Sequence, residues 1–348
     1  MLKLKSRFPQ GVVNFLILSS VNIAYFTGFS GATALLIPQD GESVLYVSGT
    51  NFEQAKHEVK NARVELLKRG ENLFQRISQE FEVSVRAKLS VDSIGIESWK
   101  SLANVVGGEE GLVMAGSVVR GLRAVKSYDE LEFIREACRI ADVGISTACE
   151  VVKPGVSEQE VVAEVEYVMR KRGSHGVAFN TIVTSGVNSA FPHGSCSSRT
   201  IMEGDLVIVD LGAMVRGYRS DVTRTIVAGK VSCRQQEIYG RVRVAQDLAI
   251  RSVRANVRAA AVDNVARESI CREGFGDYFV HNVGHGVGLE IHEMPTLSPD
   301  SKDVLEAGNV VTVEPGIYIV DFGGVRIEDT VLVTEKGAEK LTNAAYLF

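Results

Sequence analysis

The sequence predicts a two-domain α+β protein, and three observations carry that reading. The chain has 348 residues, well beyond one average domain and ample for a large buried core. Its hydrophobic fraction of 45% with 23% charged residues is ordinary for a globular protein. From about residue 126 onward, amphipathic helix patterns alternate with Val-, Ile- and Thr-rich runs that carry acidic residues, the signature of a sheet core flanked by helices.

The first domain, residues 1–122, reads as short strands alternating with helices. Phe15 to Leu18, Thr33 to Ile37 and Ser43 to Val47 are β-branched or apolar runs, with Pro38-Gln39-Asp40-Gly41 as the turn of a hairpin between the last two. A helical stretch follows from Asn51 to Val59, and Ala62 to Leu67 and Ile94 to Glu97 read as further strands with helices between them. His57 stands alone there, as an exposed helix position would allow, and no residue group in this domain has the spacing of a catalytic site.

The second domain, residues 123–348, opens where the pattern breaks after Val118-Val119. Ser127-Tyr128-Asp129-Glu130 has the form of a capping box, and Leu131, Ile134, Ala137, Ile140 and Ala141 share one helix face. Lys153-Pro154-Gly155 ends that helix, and Ser157 with Glu160 caps the next, through Arg172. Strands follow from Ala178, and helices return over Gln235 to Val257 and Ala260 to Glu273. No internal repeat is visible in the sequence.

Five residues on these elements point to chemistry. Asp210 ends Val207-Ile208-Val209, Asp221 sits in Ser220-Asp221-Val222-Thr223, and Glu314 follows Val311-Thr312-Val313. Glu328 closes Val325-Arg326-Ile327, and His285 lies between glycines in Gly284-His285-Gly286. Burying an unpaired carboxylate forfeits its hydration, and converging acids repel until one takes a proton or a cation sits among them. A bound divalent metal resolves both costs, and two ions is the count this many acids favour. Around a turn centred between Val215 and Arg216, Asp210 and Asp221 would lie directly opposite each other; around Asp321, so would Glu314 and Glu328. Like charges in such pairs are destabilising but suited to gripping a metal. The bland alternative makes these acids solvated strand ends or partners of Arg219, Arg224 and Arg326.

The order Asp, Asp, His, Glu, Glu, in the contexts Val-Asp-Leu-Gly-Ala, Ser-Asp-Val-Thr-Arg, Gly-His-Gly-Val-Gly, Val-Glu-Pro-Gly-Ile-Tyr and Arg-Ile-Glu-Asp, resembles the pita-bread metallopeptidases of family M24. That group includes methionine aminopeptidase, aminopeptidase P and prolidase. The resemblance runs from about Lys126 to Phe348, and Asn22-Ile23-Ala24-Tyr25-Phe26-Thr27-Gly28-Phe29 resembles a segment of the creatinase-like domain that precedes the catalytic domain in prolidase and aminopeptidase P. Methionine aminopeptidases lack that domain.

The resemblance implies a pita-bread fold and a metal set of Asp210, Asp221, His285, Glu314 and Glu328. Asp221 and Glu328 would bridge two ions, with Asp210 on one and His285 and Glu314 on the other. It gives Glu314, His193 and His292 catalytic roles, and places Phe179, Ile291 and His292 around a proline ring. Oxygen-rich ligands favour Mn²⁺ or Co²⁺, with Zn²⁺ compatible. The implied reaction is hydrolysis of the peptide bond before proline, in Xaa-Pro dipeptides for a prolidase or in longer peptides for an Xaa-Pro aminopeptidase. A metal-free creatinase-like enzyme or a binding module is the more distant alternative. Several prolidases carry an arginine shortly after the His-Glu motif to hold the dipeptide carboxylate. Thr296 stands there in this chain, and Arg326 is the candidate to replace it. The resemblance further implies a homodimer, with the segment Pro38 to Gly41 near the partner's site.

Other features carry less. The net charge of −5 offers no long-range attraction for nucleic acid or anionic membrane, and no apolar run has the length of a membrane span. The basic start, Met1 to Phe8, lacks a cleavage signal and reads as a cytoplasmic N-terminus. Cys138, Cys149, Cys196, Cys233 and Cys271 are odd in number and form no CxxC pair, which fits a reducing compartment. Cys196 lies near His193 but has no third group to orient the imidazole. His281 is open between a structural and a direct role, and His175 has none. Ile291-His292-Glu293-Met294-Pro295 lacks the second histidine of the zincin helix.

Overall fold

A computed structural model of the chain describes residues 1–80 and 87–347. It divides into two compact units, Met1–Arg123 and Ala124–Phe348, with Phe348 outside the described residues.

The first unit is built on a six-stranded mixed sheet in the order Arg63–Leu67, Val44–Ser48, Ala34–Pro38, Val12–Ile17, Lys88–Val91, Leu112–Met114. Alternate residues of its strands point to opposite faces. Phe15, Ile17, Leu35, Ile37, Leu45 and Val47 pack with Ile23, Phe26, Ala55 and Val119 on one side. Leu16, Leu36, Val44, Tyr46, Leu89 and Val91 pack with Ile77, Leu102 and Val106 on the other. Both faces are therefore covered by helices, which explains why the strands read as continuous apolar runs.

Pro38 to Gly41 joins two antiparallel strands, as expected. One expected strand is a correction: Ile94 to Glu97 leads into the helix Ile96–Val106, capped by Gly95, and the strand lies earlier at Lys88–Val91. Trp99, Leu102, Ala103 and Val106 carry the helical spacing that a four-residue window misses.

The second unit repeats one plan. The helices Tyr128–Val151 and Glu158–Lys171, each opened by a complete capping box, cover the sheet Val222–Val227, Leu206–Leu211, Ile182–Ser185. Their apolar faces meet Val183, Val207, Val209, Leu211, Val222 and Ile226. The helices Cys233–Ser252 and Ala259–Arg272 cover the sheet Glu293–Leu297, Gly284–Gly286, Val310–Val313, Asp329–Val333, Ala338–Lys340. The third helix stops five residues short of the expected Val257, because the chain already turns extended at Val253 (φ −71°, ψ 119°). Each half thus supplies a helix pair and a hairpin carrying two acids.

Candidate metal centre

The first acidic hairpin pairs Leu206–Leu211 with Val222–Val227, and Asp210 faces Thr223 rather than Asp221. The expected register is off by two residues, which moves the turn centre by one, from between Val215 and Arg216 to between Arg216 and Gly217. Arg216 (φ 52°) and Gly217 (φ 86°) form the two-residue turn, with Val215 opposite Tyr218. Left-handed residues at both central positions match the strand twist, and the glycine is the signal that locates the turn. The same register carries Asp221 opposite Gly212. A Cβ on Gly212 would lie 2.0 Å from Ser220 O and 2.7 Å from Ala178 Cβ, so glycine alone permits the approach that brings Asp221 diagonally beside Asp210.

The second hairpin has the register expected from its sequence. Val313 faces Asp329 and Gly316 faces Arg326, so Glu314 and Glu328 fall opposite each other around Asp321, itself at a φ of 65°. Ligand atoms of Asp221, His285 and Glu328 lie within 4.8 Å of one another. His285 Nε2 is 3.6 Å from Asp221 Oδ2 and 3.4 Å from Glu314 Oε1. Its Nδ1 is 3.1 Å from Gly286 O; donation there leaves the Nε2 lone pair facing the acids. Thr223 Oγ1 donates to Glu328 Oε2 at 2.6 Å, and Thr312 Oγ1 to Glu314 Oε1 at 3.3 Å.

Electrostatics test whether a cation belongs here. Burial first, then Glu328, Asp210 and Glu314, push the Asp221 carboxyl well above its usual range. Burial, Glu314 and Asp210 do the same to Glu328, and burial raises Glu314 to about 8. His285 is lowered to about 4 by burial and by His292, so it stays neutral and supplies no positive charge at pH 7. Asp210 Oδ1, Asp221 Oδ1 and Glu328 Oε1 are buried with no hydrogen-bond partner. Buried polar atoms rarely go unpaired, and unsatisfied oxygens on clustered acids beside a free imidazole nitrogen fit a divalent ion.

Arg326 is the counter-charge within the cluster. Its NH2 donates to Asp210 Oδ2 at 2.6 Å and its NH1 to Tyr318 OH at 2.9 Å and Pro192 O at 3.3 Å. Nε meets Thr223 Oγ1 at 3.3 Å. With its side chain 4% exposed and these donors committed, Arg326 is placed to orient Asp210; the substrate contact expected for it is not what this geometry offers. Tyr318 OH lies 2.9 Å from His281 Nε2, whose Nδ1 is 2.8 Å from Asn282 O. His281 therefore backs Tyr318 at one remove from Asp210. Thr223, Thr312 and Tyr318 were not singled out by sequence reasoning, although each lies within four residues of a candidate ligand.

The remaining candidates surround this core. The His292 ring meets the His285 ring edge-on with centroids 4.2 Å apart, and partial desolvation on that inner side, followed by the neighbouring His193, lowers its pKa although the residue as a whole is exposed. His193 and His292 are both exposed. Phe179 Cε1 stands 3.1 Å from where a Gly212 Cβ would be, beside the strand that bears Asp210. Ile291 packs on the cluster containing Val287 and Tyr218, at the rim rather than within the acids. Thr296 pairs with His285 across two antiparallel strands. Burial raises the Cys196 thiol pKa, which keeps it protonated and unsuited to nucleophilic attack.

The family model for metallopeptidase family M24 matches residues 132–335, and that for the creatinase/prolidase N-terminal domain matches 9–125. An Xaa-Pro dipeptidase of Pyrococcus furiosus is 43% identical over 92% of this chain and 91% of its own. A prolidase structure from Pyrococcus furiosus superposes with a TM-score of 0.89 at 38% identity, covering 99% of this chain and 100% of that one. An X-Pro aminopeptidase structure from Thermotoga maritima gives 0.88 at 32% identity, covering 99% and 98%. The likeness thus spans nine-tenths or more of each of these relatives and takes in both the creatinase-like first domain and the acid-bearing second one, and the chain belongs to metallopeptidase family M24.

Proposed function

We propose that this chain is a prolidase, a metal-dependent hydrolase of the bond before proline in Xaa-Pro dipeptides. The carrying observation is a buried acid cluster in which Asp210, Asp221 and Glu328 each keep one oxygen without a hydrogen-bond partner while Asp221 and Glu314 stand beside His285 Nε2, in a chain 43% identical to an Xaa-Pro dipeptidase. Family membership implies a divalent metal. Asp210, Asp221, His285, Glu314 and Glu328 would hold two ions, with Mn²⁺ or Co²⁺ favoured over Zn²⁺ by the oxygen-rich set. When bound, such ions lower the pKa of water toward neutrality and polarise a carbonyl oxygen.

The protein's own groups do the rest. Glu314 takes a proton from the attacking water. His193 and His292 face the developing oxyanion and pass a proton to the departing proline nitrogen, and partial desolvation of the ring together with the neighbouring His193 lowers the His292 pKa. Phe179 and Ile291 supply apolar surface for the pyrrolidine ring. Arg326 holds Asp210 in place through the 2.6 Å hydrogen bond.

An Xaa-Pro aminopeptidase is the second reading. It is favoured by Thr296, which offers a dipeptide carboxylate one neutral hydroxyl, and the fold accommodates it, since the Thermotoga maritima X-Pro aminopeptidase superposes almost as well as the prolidase. The resemblance also supports a homodimer, which light scattering would reject by reporting a monomer with full activity. The five free cysteines fit a cytoplasmic setting, and among the described residues no helix is long and apolar enough to cross a membrane.

The deciding experiment compares Met-Pro and Leu-Pro with Xaa-Pro-Xaa tripeptides, after chelation and re-addition of each metal. Faster turnover of the dipeptides supports the prolidase, and preference for tripeptides supports the aminopeptidase. A protein that binds no divalent ion and cleaves neither substrate would leave only the metal-free or binding-module alternatives.

A further inference from the structure

His193 sits on the connection between the Ile182–Ser185 strand and the Leu206–Leu211 strand, where Phe191 is 55% exposed and His193 itself is exposed. Such a solvent-facing loop needs external restraint to hold an imidazole in register with a reaction. The restraint comes from Glu158, the first residue of the helix Glu158–Lys171, which is 0% exposed. Its Oε1 accepts the Ser185 backbone N–H and the Ser185 hydroxyl, both at 2.7 Å. Its Oε2 accepts the Ser197 N–H at 2.9 Å and the Ser197 hydroxyl at 2.7 Å. The Glu158 N–H donates to Arg199 O at 3.1 Å.

One buried carboxylate therefore clasps the loop on both sides of His193. Hydrogen bonds to an ionised acceptor are roughly twice as strong as neutral ones, and four donors fill this carboxylate. Its hydrogen bonds reach none of the five candidate metal ligands. Farther along the loop, Gly324 N donates to Ser189 Oγ at 2.9 Å and Arg326 NH1 to Pro192 O at 3.3 Å. Those contacts tie the middle of the loop to the second acidic hairpin. Loosening the base would leave His193 hinged on them, free to drift without unfolding the metal centre.

We propose that Glu158 is a positioning residue for His193, setting the imidazole against the reacting group by clasping Ser185 and Ser197. This rests on the assignment of His193 to the reaction. A purely structural role for Glu158 would lower stability and activity whatever stands at position 193. A positioning role acts only through the imidazole.

The test is a double-mutant cycle in the full-length, metal-loaded protein with Leu-Pro as substrate. Glu158→Gln keeps the shape but turns an amide N–H₂ toward one serine donor pair; Ser197→Ala removes a single hydroxyl and serves should Glu158→Gln fold poorly. Glu158→Gln should lower kcat by roughly ten- to a hundredfold, with KM nearly unchanged and metal content at the wild-type level. Ser197→Ala should act in the same direction, more weakly. In a His193→Ala background neither change should reduce kcat further, because the coupled group is already gone. Equal losses in both backgrounds, or a wild-type kcat in both single variants, overturn the proposal. A wild-type kcat in His193→Ala alone would instead refute the role given to His193, and Glu158 would fall with it.

Discussion

Replacing Thr296 by arginine separates the two peptidase readings. Thr296 is exposed and lies opposite His285 in the strand register. Directly paired residues share a face with Cβ atoms about 4.5–5.5 Å apart, so a side chain at 296 projects beside the candidate metal centre. An arginine there could grip a dipeptide carboxylate through two parallel charge-assisted hydrogen bonds, worth about 1.5–3 kcal/mol or roughly 10- to 150-fold in affinity. Exposure and salt screening put the expected gain at the lower end, about tenfold in KM for Leu-Pro, with a matching penalty for a tripeptide whose third residue meets the new side chain. Asp303 is the competing acceptor, since its Oδ2 already takes the Thr296 N–H at 2.9 Å. The assay is therefore kcat and KM for one dipeptide and one tripeptide in Thr296→Arg and in the same variant with Asp303→Asn. Unchanged selectivity in both would refute the reasoning and mean that another group already holds the carboxylate.

Two further outcomes follow from the acidic cluster. Asp221→Asn should cut kcat/KM by about a thousandfold, the several kcal/mol that a metal contributes, while raising the Tm of chelated protein by relieving repulsion on Glu328 and Glu314; wild-type turnover at matched metal occupancy would sink the assignment. In chelated protein the Glu314 carboxyl, raised from 4.5 to about 8, keeps a proton that the unfolded chain has lost, so stability falls as pH climbs through that window. His285 and His281, lowered to about 4, act oppositely, but only below 6.5, so Tm should drop between pH 6.5 and 8.5 and Glu314→Gln should flatten the slope. Added Mn²⁺ should stabilise more at pH 8.5, because binding displaces protons from these acids; a chelated Tm that rises with pH would contradict the assignment.

The acids were legible in the sequence because each interrupts a β-branched run, where a carboxylate is costly without a partner. The register of Glu314 and Glu328 was legible too: the two runs mirror each other around Asp321, and the observed pairing has that centre. Asp210 and Asp221 are closer still in the chain, yet the midpoint between them is not the centre of the observed pairing. A centre midway between the two acids falls between Val215 and Arg216, whereas the backbone turns at Arg216 and Gly217, where a glycine at positive φ relieves the strain. The lesson is that left-handed residues outrank symmetry in setting a hairpin.

What stayed illegible is the support behind the ligands. Glu158 reaches partners 27 and 39 residues away, and Arg224, fully buried, binds Asp329 at 2.9 Å and the carbonyls of Glu328 at 2.5 Å and Ala344 at 2.7 Å. On a helix surface or strand edge, neither residue looks different from a solvated charge, because periodicity reports a face and not the distant donors that make burial tolerable. A buried charge must find partners wherever the fold brings them, and here those partners belong to the loop of His193 and the segment formed by Glu328 and Asp329. Both supports act on residues adjacent to the candidate chemistry rather than on the chemistry itself, so sequence motifs mark the ligands and only tertiary structure reveals what holds them still.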